Sequence, residues 1–462
     1  MSALSTTQPA HPTIRTMCGI TGILQRQPDT DSLADNIDRM RDALVHRGPD
    51  DCGSWIDESS GQVALGHRRL AVLDLSPLGA QPMHSADERY VLVFNGEIYN
   101  FRRLRDALRD KGHAFRGGSD TEVVLAAFAE WGIEPALRAF EGMFALAVWD
   151  RAEQQLYLAR DRFGEKPLYY GVHNGVLLFA SELKAMKQHA RFDATIDRGA
   201  LTELMRHTYI PGPNSIFANY KKMPPGSLVC VGADLQLDSP RRYFDLDKLA
   251  GASPTPLPDD QAVDELERLL SKSIADRMVA DVPVGAFLSG GIDSSLIVSL
   301  MQAHTSRPIQ TFTIGFDDPS INEAEHARAT AALLGTTHHE VTVSDADLRA
   351  VMPKLPEVYD EPLADPAQIP AIVLSRMARE QVTVALSGDG GDELFGGYDR
   401  YDRYDRPDLG YEPRREPPQQ RGNGTHHPVS RVRYRGAEDA DERVEHRRRA
   451  RGNDADRWEY DI

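Results

Sequence analysis

Residues 287–298 read FLSGGIDSSLIV: an apolar run, then Ser-Gly-Gly, then a second apolar stretch. A strand that turns through two glycines into a helix aims backbone N–H groups at whatever lies above the helix start, and glycine lets a phosphate approach the chain closely. The GxxxxGK[ST] pattern of a Walker loop is absent. On either side the sequence alternates. The helical run AVDELERLLSKSIADRM precedes the strand VGAFLSG, and a helix is expected from near Ser294. Then follow the strand TFTIGF, the helix NEAEHARATAALLG, the strand HEVTV, a helix near AIVLSRMARE and the strand VTVALSG. This order predicts a parallel sheet with helices on both faces, its ligands at the carboxyl ends of the strands.

Upstream the rhythm differs. From Cys18 to about Asp245, the strand-like runs CGITGIL, QVALGHRRLAVLDL, RYVLVFNGEIYN, MFALAVWD, QLYLARDRFG, PLYYGV and GVLLFASE follow one another with few helices between, DTEVVLAAFAEWG being one. Packed antiparallel sheets with helices on their outer faces are expected, so the class is α+β followed by α/β. Residues 246–261, rich in Pro and Asp, read as a linker between domains 18–245 and 262–402.

The formal charge of −17 speaks against nucleic acid or an anionic membrane as the main partner. No apolar run approaches the roughly 18 residues of a membrane span. Three cysteines, Cys18, Cys52 and Cys230, form neither a disulfide framework nor a metal spacing, which fits a reducing cytoplasm.

Cys18 has a chemical requirement. A thiol with an ordinary pKa near ~8.5 needs a base at neutral pH, and an N-terminal cysteine can use its own α-amine, whose pKa is ~7.7–8.0. Taken alone, a Cys before Gly-Ile is more often a buried structural residue. Four polar clusters accompany it: HRGPDD at 46–51, GHRRLAVLDL at 66–75, FNGEIYN at 94–100 and GGSDTEVVL at 117–125. Singly each reads as a turn or a surface ion pair, and Asn95-Gly96 as a hairpin turn.

In this order and spacing the five motifs resemble the class II, N-terminal-nucleophile glutamine amidotransferase domain, more closely that of glutamine-dependent asparagine synthetases. The resemblance implies an N-terminal Ntn-hydrolase sandwich in which Cys18 attacks the glutamine amide and Asn95 and Gly96 form the oxyanion hole. Arg69 would clamp the substrate carboxylate, Glu97 and Asp120 would hold its ammonium, and Leu70, Ala71, Val72 and Leu73 would line the same site. SGGIDSS resembles the pyrophosphate loop of ATP pyrophosphatases. By that likeness Ser289, Gly290, Gly291, Asp293, Ser294 and Ser295 cradle ATP, Leu288 and Ile314 flank its adenine, and Ser387 and Gly388 of ALSGDGGDELFGGY contact the nucleotide. Asp389 and Asp392 would be synthetase-site acids, and Asp293 and Asp392 would hold Mg²⁺.

The implied reaction joins ammonia from glutamine to an adenylated aspartate. A sugar acid or peptide carboxylate, a glutaminase alone and a non-catalytic nucleotide-binding remnant stay open as alternatives, and so does a homodimer. Some departures weigh on the synthetase half. Asp389 stands where some members carry Glu, and Asp365 stands near an expected Arg. No Lys follows Lys354, and residues 403–462 hold 14 Arg with few aliphatic side chains. The tail therefore reads as disordered or aberrant and the synthetase domain as incomplete, so glutamine hydrolysis is expected to exceed asparagine formation. Residues 1–17 carry no secretory signal, and Met17 stands where an initiator would expose Cys18, so this leader is expected to be missing from the mature enzyme.

Overall fold

The computed structural model describes residues 17–250 and 257–397. The expected leader, the middle of the linker and the expected tail lie outside the described residues. The chain divides into two compact units, Met1–Ser387 and Gly388–Ile462.

Twelve strands build the first part of the larger unit: β1 (Gly19–Gln25), β2 (Asp51–Ile56), β3 (Val63–Arg69), β4 (Met83–His84), β5 (Tyr90–Ile98), β6 (Gly142–Asp150), β7 (Gln155–Arg160), β8 (Tyr169–His173), β9 (Val176–Ala180), β10 (Lys221–Lys222), β11 (Ser227–Gly232) and β12 (Arg241–Arg242). They form two antiparallel sheets of six strands, ordered β10-β8-β9-β1-β3-β2 and β12-β11-β7-β6-β5-β4. Alternation along each strand sends one set of side chains between the sheets and the other outward. Ile20 and Leu24 of β1, Leu65 of β3, and Val91 and Val93 of β5 meet in the middle layer. Phe94 and Ile98 of β5 face outward to the helices Phe101–Arg109 and Asp120–Trp131. Ile23 and Ala64 face the helix Thr30–Asp42 on the opposite side. The result is a helix–sheet–sheet–helix sandwich, as the strand-rich pattern implied.

Two readings change. The run QVALGHRRLAVLDL is one strand only as far as Arg69; residues 70–76 leave the sheet, and Asp74 adopts a positive φ of 54°. Asn95 and Gly96 are not a hairpin turn: both lie inside β5, paired with Ala145 and Phe144 of β6. A Cβ on Gly96 would stand 2.2 Å from the Met143 carbonyl, so this close strand contact requires glycine.

Four more strands, β13 (Val284–Phe287), β14 (Gln310–Phe316), β15 (Thr337–Val343) and β16 (Val384–Leu386), make an all-parallel sheet ordered β15-β14-β13-β16. Between them run the helices Ile292–Ala303, Ala324–Leu334 and Gln368–Arg379. The helix after the Ser-Gly-Gly turn thus starts at Ile292, two residues before the expected Ser294. The expected linker is structured at both ends, by the helix Leu246–Ala250 and by the helix Asp259–Arg277. The smaller unit is described for residues 388–397, a turn and the short helix Gly391–Phe395.

Candidate active site

Cys18 immediately precedes β1, which lies within the first sheet rather than at its edge. Its neighbour β3 pairs Arg68 with Gly19, so the two strands bring Cys18 beside Arg69 and the loop that follows. The Leu70 N–H points at Sγ at 3.4 Å, and Sγ lies 3.5 Å from the Leu70 carbonyl. Burial is the main reason the thiol is pushed up to about 11, with Glu97 adding to the rise and the Leu70 N–H, Arg69 and Arg47 opposing it. At pH 7 such a thiol is ionised roughly once in 10⁴ molecules, so it reacts only with a base at hand.

Sequence reasoning missed what holds the Cys18 backbone. Arg47 Nε donates to the Cys18 carbonyl at 3.0 Å, and Arg47 Nη1 pairs with Glu182 at 2.7 Å. His46 and Lys184 also reach Glu182, at 2.9 and 3.0 Å, and this company holds its carboxyl well below the usual range despite burial. The signal was present in HRGPDD. Gly48 of that motif lets the chain lie against β3, where a Cβ would come within 2.3 Å of the Arg68 carbonyl carbon.

Arg69 is buried, and its guanidinium donates to the carbonyls of Ser76 at 3.1 Å, Leu73 at 3.3 Å and Asp74. Gly79 makes room, since a Cβ there would strike the guanidinium. Arg69 therefore shapes the 70–76 loop from within.

Along β5, Asn95 and Glu97 follow Val91 and Val93 onto the face toward the first sheet. The Asn95 amide is fully buried, and among the described residues neither Oδ1 nor Nδ2 has a hydrogen-bond partner. Nearby, His67 Nε2 lies 3.1 Å from the Phe94 carbonyl and ties the sheets together. Burial lowers this imidazole to about 3, so it is neutral, and among the described residues its Nδ1 has no hydrogen-bond partner.

Glu97 and Asp120 form the acidic part. Asp120 opens the helix Asp120–Trp131 and accepts the Ile98 N–H at 2.8 Å. Burial pushes it up to about 6 although backbone N–H groups oppose the shift. Glu97 is raised well above the carboxylate range by burial and by Asp120, with Lys166 opposing. Close together, the two carboxyls resist double ionisation, an arrangement that a cationic group would relieve. Cys18, Arg69, Asn95, Gly96, Glu97 and Asp120 thus converge at one end of the sandwich, with Leu70–Leu73 in the adjoining loop.

The second candidate region follows β13. Gly290 has φ +77°, and a Cβ there would come within 2.7 Å of the Ala327 amide, so the turn admits only glycine. Ser289 Oγ accepts the Gly291 N–H at 3.1 Å and meets Ser294 Oγ at 3.0 Å, fixing the loop over the start of the helix. Asp293 lies in its first turn. Leu288 is buried in the apolar cluster beneath, its N–H donated to Phe312 and its carbonyl bonded by Thr313; Ile314 is nearly buried on β14. Ser387 follows β16, the strand beside β13, so both loops leave neighbouring carboxyl ends. Gly388, Asp389 and Asp392 belong to the smaller unit, where Asp392 lies in the short helix. Among the described residues, no group of three His, Cys, Asp or Glu side chains gathers into a metal cage.

A further surprise is the segment YDEPLADP. Asp360 accepts the Lys184 N–H at 3.0 Å, and Glu361 accepts Ile216 N–H and pairs with Lys222, each at 2.7 Å. Its acids dock the parallel-sheet part on the sandwich.

Residues 17–244 match the glutamine amidotransferase domain family, and residues 265–460 match the asparagine synthase family. The chain is 35% identical over 402 residues to putative glutamine-hydrolysing asparagine synthetase 2 of Methanocaldococcus jannaschii, covering 83% of this chain and 76% of that protein. The chain belongs to the glutamine-hydrolysing asparagine synthetase family. Another relative in that family, asparagine synthetase 1 of Bacillus subtilis, is 41% identical over 385 residues, which cover 83% of this chain and 59% of that protein. The amidase chry2 of Gibberella zeae is 31% identical over 408 residues, covering 83% and 60%. The chain spans about three-fifths of the length of these last two relatives. No helix among the described residues is long and apolar enough to cross a membrane.

Proposed function

We propose that the sandwich releases ammonia from glutamine at Cys18, and that the parallel-sheet part uses ATP to activate aspartate for attack by that ammonia. The products are asparagine, glutamate, AMP and pyrophosphate. The observation that carries the reading is Asn95: a buried, unpartnered amide on the face toward the Cys18 strand is costly unless a bound group completes it. A developing oxyanion would accept from Nδ2 and from the Gly96 N–H.

In this reading Cys18 Sγ attacks the amide carbon of glutamine. Its proton passes to the α-amine of the same residue and on to the departing ammonia, and water then hydrolyses the thioester to glutamate. The amine is free only once the Met17–Cys18 bond is cleaved. Glu97 and Asp120 hold the substrate ammonium. Arg69 holds the 70–76 loop and supplies positive charge for the substrate carboxylate.

In the second half, an acceptor carboxylate oxygen attacks the α-phosphorus of ATP, pyrophosphate leaves, and ammonia displaces AMP. The backbone and hydroxyls of 289–295 suit the pyrophosphate, since only glycine fits at Gly290. Mg²⁺ is a hard cation suited to the Asp293 carboxylate, and it would neutralise phosphate charge when bound. The test is pyrophosphate release from ATP against a panel of carboxylates. Aspartate should stimulate it most. Stimulation by a sugar acid or peptide instead would reassign the acceptor, a possibility kept in view by the amidase-named relative.

The acidic pair also sets a pH dependence. Asp120 is raised to about 6, so below that pH the pair holds protons in place of the substrate ammonium. The kcat/KM for glutamine should steepen its fall as pH drops through about 6, by up to about a further tenfold per unit beyond the loss set by protonation of the α-amine. Asp120→Asn should raise KM at neutral pH and flatten this limb. A pH–rate profile of ammonia release checks both.

A further inference from the structure

The 70–76 loop has no strand or helix of its own, so its shape depends on what grips it. Arg69 holds its carbonyls from the sandwich side. The other grip comes from far along the chain. Asp281 N–H donates to the Val72 carbonyl at 2.9 Å, and Asp281 Oδ2 accepts the Asp74 N–H at 2.8 Å. Asp74 in turn accepts the Gly118 N–H at 2.6 Å, two residues before Asp120, and bonds Ser76. One side chain therefore anchors a loop that touches the Cys18 thiol through Leu70 and holds Gly118, two residues before Asp120 in the chain.

Asp281 lies in the short segment between the helix Asp259–Arg277 and β13, the strand that feeds the Ser289 loop. At the head of that segment the Arg277 guanidinium sits 4.3 Å over the Tyr99 ring, just past Glu97 on the sandwich. At its tail the Pro283 carbonyl accepts the Thr383 N–H at 3.1 Å, beside β16. We propose that Asp281 is a positioning residue of the glutamine site: it clamps the 70–76 loop to the base of the nucleotide-loop strand, so the seating of one half sets the substrate affinity of the other. The kinetic arm of the test below rests on Cys18 as a glutaminase nucleophile; the clamp itself does not.

Asp281→Ala removes the bond to Asp74 and leaves the backbone bond to Val72, whereas Asp281→Asn keeps an acceptor oxygen. Both variants are made in the full chain. Asp281→Ala should raise KM for glutamine about tenfold with kcat within about twofold, the size expected for one lost hydrogen bond to a charged group. Alkylation of Cys18 by iodoacetamide, followed by site-resolved mass spectrometry to exclude Cys52 and Cys230, should accelerate several-fold as the Leu70 contact loosens. Asp281→Asn should match the parent in both. Parental KM and alkylation rate in the alanine variant would overturn the inference, as would an asparagine variant as impaired as alanine. Equal losses of kcat, affinity and melting temperature would also overturn it, marking a general fold defect. If the parent releases no ammonia, the glutaminase reading fails while the alkylation rates still decide on the clamp.

Discussion

Replacing Cys18 with alanine is expected to abolish ammonia release from glutamine, a fall on the order of 10⁴-fold or more, because it removes the proposed nucleophile. Glutamine binding should persist, because Arg69, Glu97 and Asp120 are untouched. Stability should change little: the hydrogen bonds of Sγ with Leu70 are long, and alanine adds no volume. Calorimetric titration with glutamine, a thermal melt and a coupled ammonia assay on one preparation separate these effects. The active parent should yield an intact mass that begins at Cys18, because a thiol raised to about 11 needs the adjacent amine as its base. A parent retaining residues 1–17 with full activity would refute the amine's role, and undiminished cleavage by the alanine variant would refute the nucleophile.

Much of the architecture was legible because periodicity and burial agree. The apolar run in RYVLVFNGEI maps onto β5, buried on both faces with Val91 and Val93 between the sheets and Phe94 toward the helices, and the strand–Gly-Gly–helix pattern at 287–298 became β13, a turn and a helix. Failure came where tertiary contacts overrule local pattern. LAVLDL is apolar enough for a strand, yet Arg69 takes its carbonyls, and Asp281, some two hundred residues away, takes the Val72 carbonyl that a neighbouring strand would need. Short or edge strands such as β4, β10 and β12 owe their existence to partners and leave no periodic trace.

The site divides in the same way. Cys18, Asn95, Glu97 and Asp120 entered as candidates through the order and spacing of five motifs that resemble one family, since each residue alone also reads as a turn, an ion pair or a core residue. The support behind them was not. Glu182 lies in an unremarkable ASEL run, and only the fold reveals that it gathers His46, Arg47 and Lys184 behind Cys18. Asp360 and Glu361 carry no role in the sequence reading, and only the fold shows their carboxylates spent on Lys184, Ile216 and Lys222. A carboxylate's partner is a three-dimensional fact, and no spacing rule anticipates it.

Asn95→Ala should lower kcat for glutamine hydrolysis by about 10²–10³-fold, the loss seen when one preorganised oxyanion donor is removed. The same change should leave the protein at least as stable. The Asn95 amide is buried with both polar atoms unsatisfied, and each such group costs about 1–3 kcal/mol. Alanine removes that cost and leaves a small cavity between β5 and the first sheet, which offsets part of the gain. A melting temperature equal to or above the parent's, paired with the kinetic loss, identifies a residue kept for chemistry at the expense of the fold. Affinity for ground-state glutamine should shift far less than kcat, because the donor meets charge only as the tetrahedral intermediate forms. If Asn95→Ala instead melts several degrees lower and loses kcat and glutamine affinity in step, the amide is a structural element and the oxyanion must be held elsewhere.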